Sequence, residues 1–231
     1  MKRFYKQVSV EQGGDAWRIL LDGRVIKTPA KAELCAPTKQ MAEAVASEWS
    51  SQGDTVDIQS MHLTRLINVA IDRTPAQREG MVDEVVKYCE TDLLCFLAET
   101  PEDLRSVQID QWRPIREWAG KSLDVVLMEV PDGLLAAPQP PASLQAARGY
   151  ADGLNDVQLT GLNFGLGLFG SALLAMAVCE GYIDANNAYE RSIVDELYQS
   201  EKWGEDDENL ARLNNNRAQA QALGTLFETL L

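Results

Sequence analysis

A single histidine, His62, and four cysteines, Cys35, Cys89, Cys95 and Cys179, are all the imidazole and thiol chemistry that the 231 residues hold. No two cysteines form a C-x-x-C pair. The nearest two, Cys89 and Cys95, are six apart and fall on nearly opposite sides of a helix. This spacing offers neither a zinc site nor a disulfide framework, and it fits buried thiols in a reducing compartment. His62 has no cysteine or aspartate at ligand spacing, and no H-E-x-x-H, P-loop or G-x-S-x-G segment occurs. Metal-assisted hydrolysis and a Ser-His-Asp relay therefore lack their parts. Paired carboxylates need only acids, of which there are 35, so an enzyme of unrecognised type stays open. Gly165-Leu166-Gly167-Leu168-Phe169-Gly170 spells G-x-G-x-x-G, but no strand precedes it and no βαβ unit surrounds it. Glycines that let helices approach closely explain it, and no cofactor is expected.

The chemistry that the residues do support is recognition. From Asp195 to Glu208 there are seven acids and one lysine, with Leu197, Tyr198 and Trp203 set among them. An aromatic anchor ringed by charge suits a docking face, and the same run also reads as a solvated helix end. The five tryptophans are core residues by type, with room left for one apolar patch that a partner covers. Net charge is −14, which argues against nucleic acid and anionic lipid as partners. The charge is also unevenly placed. Residues 1–31 hold seven basic and three acidic side chains, and the excess of acid lies wholly beyond them. Two surfaces with different tasks are implied. An acidic adaptor that binds a basic protein is one such reading.

The elements that must position these residues change type along the chain. Phe4–Val10, Trp17–Leu21 and Arg24–Thr28 read as strands, with turns at Gly13-Gly14-Asp15 and Asp22-Gly23 and a short fourth strand over Glu33–Ala36. Helical spacing follows: Thr38 as an N-cap before Met41, Val45 and Trp49, then Met61–Arg73 and Gln77–Cys89. Pro101 opens a fourth helix as its first residue, and Pro114 kinks or restarts it. One further strand is expected over Val125–Val130, then loops at Asp132-Gly133 and Pro138–Pro141, and helices thereafter. Val157–Cys179 is uncharged and long enough to span a bilayer, but lacks flanking basic residues. It reads as a buried central helix, broken near Gly165. The expected fold class is α+β: a small antiparallel β-rich N-terminal domain over residues 1–60 and a larger all-helical C-terminal domain over residues 61–231.

These segments, in order, resemble the ATP synthase assembly chaperone family that binds the alpha subunit of the catalytic headpiece. The resemblance is carried by KRFYKQVSV at 2–10, WRILLDGRVIKTPAKAEL at 17–34, PTKQMAEAVASEW at 37–49 and LTRLINVAIDR at 63–73. It continues through YCETDLLCF at 88–96, QWRPIREW at 111–118, GSALLAMA at 170–177 and DELYQSEKWGEDDE at 195–208. It implies a non-enzymatic, ATP-independent chaperone that uses no cofactor and holds the ATP synthase alpha subunit until the beta subunit takes over the same surface. A monomer is expected, without insertion into the membrane. The family's terminal motif implies that Asp195, Glu196, Gln199, Trp203 and Gly204 bind the partner, with Trp203 and Gly204 alternatively fixing a helix end. The basic start, Met1–Lys6, has no apolar run behind it. The expected setting is a bacterial cytoplasm, or the mitochondrial matrix for a trimmed eukaryotic homologue.

Overall fold

Four short strands and ten helices make up the computed structural model, which describes residues 1–130, 137–204 and 207–230. β1 (Val8–Gly13), β2 (Ala16–Leu21), β3 (Arg24–Val25) and β4 (Cys35–Ala36) form one antiparallel sheet. β2 is its centre, with Leu21 opposite Val8, Leu20 opposite Val25 and Trp17 opposite Ala36. Asp22 (φ 48°) and Gly23 (φ 77°) make the two-residue turn that suits the right-handed twist of a hairpin.

Three strands are shorter than their residues suggest, β4 by its first two residues, Glu33 and Leu34. Phe4–Lys6 lies outside β1, because the Lys6 and Gln7 N–H groups donate to the Asp22 carboxylate, the Gln7 bond at 2.8 Å, instead of to a strand. β3 stops at Val25, because the chain doubles back at Thr28, whose N–H donates to Ala32 O at 2.9 Å.

α1 (Lys39–Ser50) starts where Thr38 Oγ1 accepts from the Met41 N–H, and it lays Met41, Ala42, Val45 and Trp49 toward the sheet. Its Glu48 caps the next helix, α2 (His62–Asp72), accepting from the Leu63 and Thr64 N–H groups at 2.7 Å each. A carboxylate is favoured there because the first-turn N–H groups have no partner within the helix. α3 (Thr74–Glu90), α4 (Glu102–Ser122), α5 (Pro141–Gly153), α6 (Asp156–Phe169) and α7 (Ala172–Cys179) follow. α8 (Ala185–Ser192), α9 (Val194–Trp203) and α10 (Asp207–Glu228) complete the fold. This is the α+β class expected. One apolar core runs from Tyr5 and Ile19 under the sheet to Leu226 and Phe227 on α10.

Four expectations are corrected. Pro114 does not restart α4; the helix runs through it, and the burial of Trp112, Ile115 and Ala119 outweighs one missing N–H. Pro101 is the residue before the first turn of α4, not its first helical residue. Val125–Val130 forms no strand; its one ladder contact is a single parallel bridge of Val130 to Phe96. The Val126 and Met128 backbone N–H groups are met by Ser143 Oγ (3.1 Å) and Gln139 Oε1 (2.7 Å), so side chains stand where a neighbouring strand would. The apolar stretch 157–179 breaks at Gly170, not Gly165. Gly170 (φ 64°) ends α6 in the left-handed conformation, and Ser171 caps α7. The turn expected at Asp132-Gly133 lies outside the described residues.

Gly165 instead serves the close approach of helices. A Cβ there would meet Ala175 Cβ at 2.9 Å, across the α6–α7 contact. No helix among the described residues is long and apolar enough to cross a membrane. Cys89, Cys95 and Cys179 are buried and Cys35 is half-buried, all as free thiols.

Candidate docking site on helix α9

Asp195, Gln199 and Trp203 are four residues apart in turn, so they fall along one stripe of α9. The acids come first in the helix and the aromatic last. Asp195 and Glu196 lie in the first turn, where negative charge meets the positive end of the helix dipole. Gly204 (φ 86°) ends the helix in a conformation that a Cβ disfavours, and its N–H donates to Ser200 O at 2.8 Å.

The five residues have unlike surroundings. Asp195 faces inward, accepting from Nε2 of the buried Gln108 on α4 at 2.6 Å. Gln108 Oε1 in turn accepts from the Ala98 N–H at 2.6 Å. Asp195 thus locks α9 to α4 and shares its carboxylate between fold and surface. Glu196 is half-buried and paired with Arg212 on α10. Gln199 is exposed. Trp203 is 78% exposed, more than any other large apolar side chain described. Burial therefore gives Trp203 no part in anchoring the helix end.

α4 supplies the other half of the site. A cleft of about 280 Å³ lies between α4, α8 and α9, lined by Val107 and Gln111, by Val194 and Leu197, and by Tyr198. Glu190 and Glu201 add charge to it. The cleft is held rigid from beneath. Trp112, 1% exposed, donates from its indole to Arg191 O at 2.9 Å, and the Arg191 guanidinium reaches Gln111 O. At the rim, Tyr198 donates to Asp103 Oδ1 at 2.7 Å, and Lys202 lies 3.5 Å from Asp103 Oδ2. The Tyr198 hydroxyl holds the Asp103 carboxyl below its ordinary value, with the Leu104 N–H and Lys202 acting the same way. The same bond pushes the Tyr198 phenol up.

The groups on offer are apolar, aromatic and anionic. They combine an apolar cleft, a protruding indole and carboxylates, which suits a partner segment that carries apolar and basic side chains together. Among the described residues no group of three or more His, Cys, Asp or Glu side chains could hold a metal ion. Sequence reasoning named α9 but missed Val107, Gln108 and Gln111. Their helix carried a signal, the QWRPIREW segment, but nothing in its spacing says which side meets α9.

Known proteins with the same character were found by sequence and by structure. Residues 2–120 match the family described as ATP12 chaperone protein. The mitochondrial protein atp12 of Schizosaccharomyces pombe is 24% identical over 214 residues, 88% of this chain and 74% of that protein. The crystal structure of Atp12 from Paracoccus denitrificans is 33% identical, with a TM-score of 0.91 over 100% of this chain and 98% of that one. A D202K mutant of the Paracoccus protein aligns equally well, with a TM-score of 0.91 and 33% identity over the same shares of both chains. A chaperone candidate from Agrobacterium tumefaciens aligns with a TM-score of 0.94 at 32% identity, over 100% of this chain and 86% of that one.

Proposed function

The chain belongs to the ATP12 chaperone family, and on that premise we propose that it binds the unassembled ATP synthase alpha subunit. In this reading it shields an aggregation-prone interface on that subunit and releases it to the beta subunit as the headpiece forms. It transforms no substrate. A subunit awaiting its neighbours exposes apolar surface and open strand edges. A binder that covers them lowers the concentration of aggregating species by mass action. Release follows if the interface is of moderate affinity and another subunit competes for it.

The observation that carries the reading is Trp203, 78% exposed at the end of α9, on the side of the helix away from the apolar cleft that Val194, Leu197 and Tyr198 line. Asp195, Glu196, Gln199, Trp203 and Gly204 are the proposed contacts, Gly204 by ending α9 so that Trp203 projects. The family relatives come from bacteria and from a mitochondrion by name, and we place this chain in a bacterial cytoplasm. A division into a β-rich unit over 1–60 and a helical unit over 61–231 belongs to the same reading.

Co-expression with the alpha subunit, followed by a comparison of soluble and pelleted fractions, tests the proposal. Wild-type chain should keep the subunit soluble. Trp203→Ala, which removes an exposed side chain, and Glu196→Lys should lose most of that rescue while melting close to wild type. Full rescue by both variants would remove α9 from the interface. No rescue by the wild-type chain would end the chaperone reading for this partner.

A further inference from the structure

A second pocket, of about 600 Å³, opens beside the β2–β3 hairpin and the segment that precedes β1, far in sequence from α9. Tyr5, Leu21 and Trp49 form its buried base. Val25 and Ile26 are half-buried lining residues, and Phe4 is 65% exposed at the same pocket. An exposed aromatic ring next to an apolar hollow is the usual form of a docking anchor's seat.

The charge here is opposite to that of α9. Arg24 and Lys27 line the pocket, both are exposed, and neither forms an ion pair among the described residues. Asp22 is the one acid in the lining; its carboxylate accepts from the Lys6 and Gln7 N–H groups, which keep it charged, so the lining sets two side-chain cations against one anion. That excess of positive charge favours a ligand that carries carboxylates. The shape of the ligand follows from the sheet. β3 stands at the end of the strand order β1-β2-β3, and because Ile26 and Lys27 beyond it already pair with Leu34 and Glu33, the edge that borders the pocket is the short stretch Arg24–Val25, which suits a short extended segment.

We propose that this pocket binds a short, extended, acidic polypeptide segment. One aromatic or aliphatic side chain of the segment packs against Phe4, Val25 and Ile26, and its carboxylates meet Arg24 and Lys27. The molecule then has two docking faces of opposite sign, so it can hold one client at two chemically different segments. The inference rests on the chaperone reading only for the source of the segment, an incompletely folded client; the pocket's preference stands on the sheet's own residues.

Fluorescence anisotropy with the full chain and a fluorescein-labelled peptide of alternating Glu, Phe and Leu residues tests it. The peptide should bind saturably, and the same peptide with Gln for Glu should bind at least about tenfold more weakly. The double variant Arg24→Glu, Lys27→Glu changes two exposed side chains and should weaken the acidic peptide by a similar factor at an unchanged melting temperature. Phe4→Ala removes an exposed ring at the pocket and should weaken binding several-fold at an unchanged melting temperature. Equal binding of the two peptides, or no loss in the charge-reversed variant, overturns the proposal. So does displacement by phenylacetate as effective as displacement by unlabelled peptide, which would mark a site for small organic acids. The two readings fail separately. Absent rescue of the alpha subunit by the wild-type chain removes the client and leaves the peptide result standing. Rescue that proceeds while peptide binding ignores charge reversal removes this inference alone.

Discussion

Asp92 shows how one side chain can fix several segments. It is fully buried, and Oδ1 accepts from the Leu94 N–H at 3.0 Å and from Ser171 Oγ at 2.8 Å. Oδ2 accepts from the Leu173 N–H at 3.0 Å. One carboxyl therefore ends the turn after α3 and caps α7 as it leaves the Gly170 break. Asp92→Ala would strand these donors in the core, and buried unpaired donors cost more than the bonds themselves contributed. The expected loss is about 2–4 kcal/mol, read as a lower urea midpoint. By contrast, Trp203→Ala should leave that midpoint unchanged, since the indole is mostly in water.

Between elements, contacts are of two kinds, and they respond to different changes. α6 and α7 meet through small residues. Gly165→Val would drive new atoms into Ala175, whose Cβ already lies 2.9 Å from where a Cβ on residue 165 would sit. Overpacking there should cost about 1–3 kcal/mol in denaturant unfolding, partly offset by the better helix propensity of valine. α4 and α9 meet instead at a polar rim, where Tyr198 and Lys202 hold Asp103. The folded Asp103 carboxyl titrates below its ordinary value of 3.8, the Tyr198 bond being the first cause. A depressed carboxyl adds stability that is present above the unfolded value and is lost as pH falls through the folded one. Hydrogen-exchange protection across α9 should therefore hold at neutral pH and decline below about pH 4. Tyr198→Phe should lower that protection at neutral pH and flatten its decline. An unchanged profile in Tyr198→Phe would show that the Gln108–Asp195 bond alone docks the helix.

As a whole, the molecule has a continuous core under both its sheet and its helices. Thr38 at the start of α1 donates from its hydroxyl to Thr229 O at 2.6 Å, which ties the sheet-bearing end to the end of α10. The proposed units over 1–60 and 61–231 are in that case parts of one cooperative structure. Unfolding followed by far-ultraviolet dichroism, which the helices dominate, should coincide with unfolding followed by a probe at Cys35 in β4 of the sheet. Two separated transitions would show that the sheet folds on its own. Charge is also arranged at this scale, with a net positive charge over 1–31 and the net negative charge beyond it.

The sequence by itself determined the switch from strands to helices, the Asp22-Gly23 hairpin, the Thr38 cap and the buried faces of α1 and α2. Each of these is written in neighbouring residues, as a period of two or of 3.6, or as a turn type that few residues can adopt. It also singled out the segment that became α9, because the acids and the aromatics there are adjacent in the chain. Only the tertiary structure decided where α6 ends, that α4 runs through Pro114, and that Ser143 and Gln139 take the place of a strand beside Val126 and Met128. The same holds for both pockets, each built from side chains far apart in the chain: Val107 with Leu197, Trp49 with Val25. Such pairings depend on the balance of packing over the whole core. A local pattern shows which face of an element is apolar, not which other element will cover it.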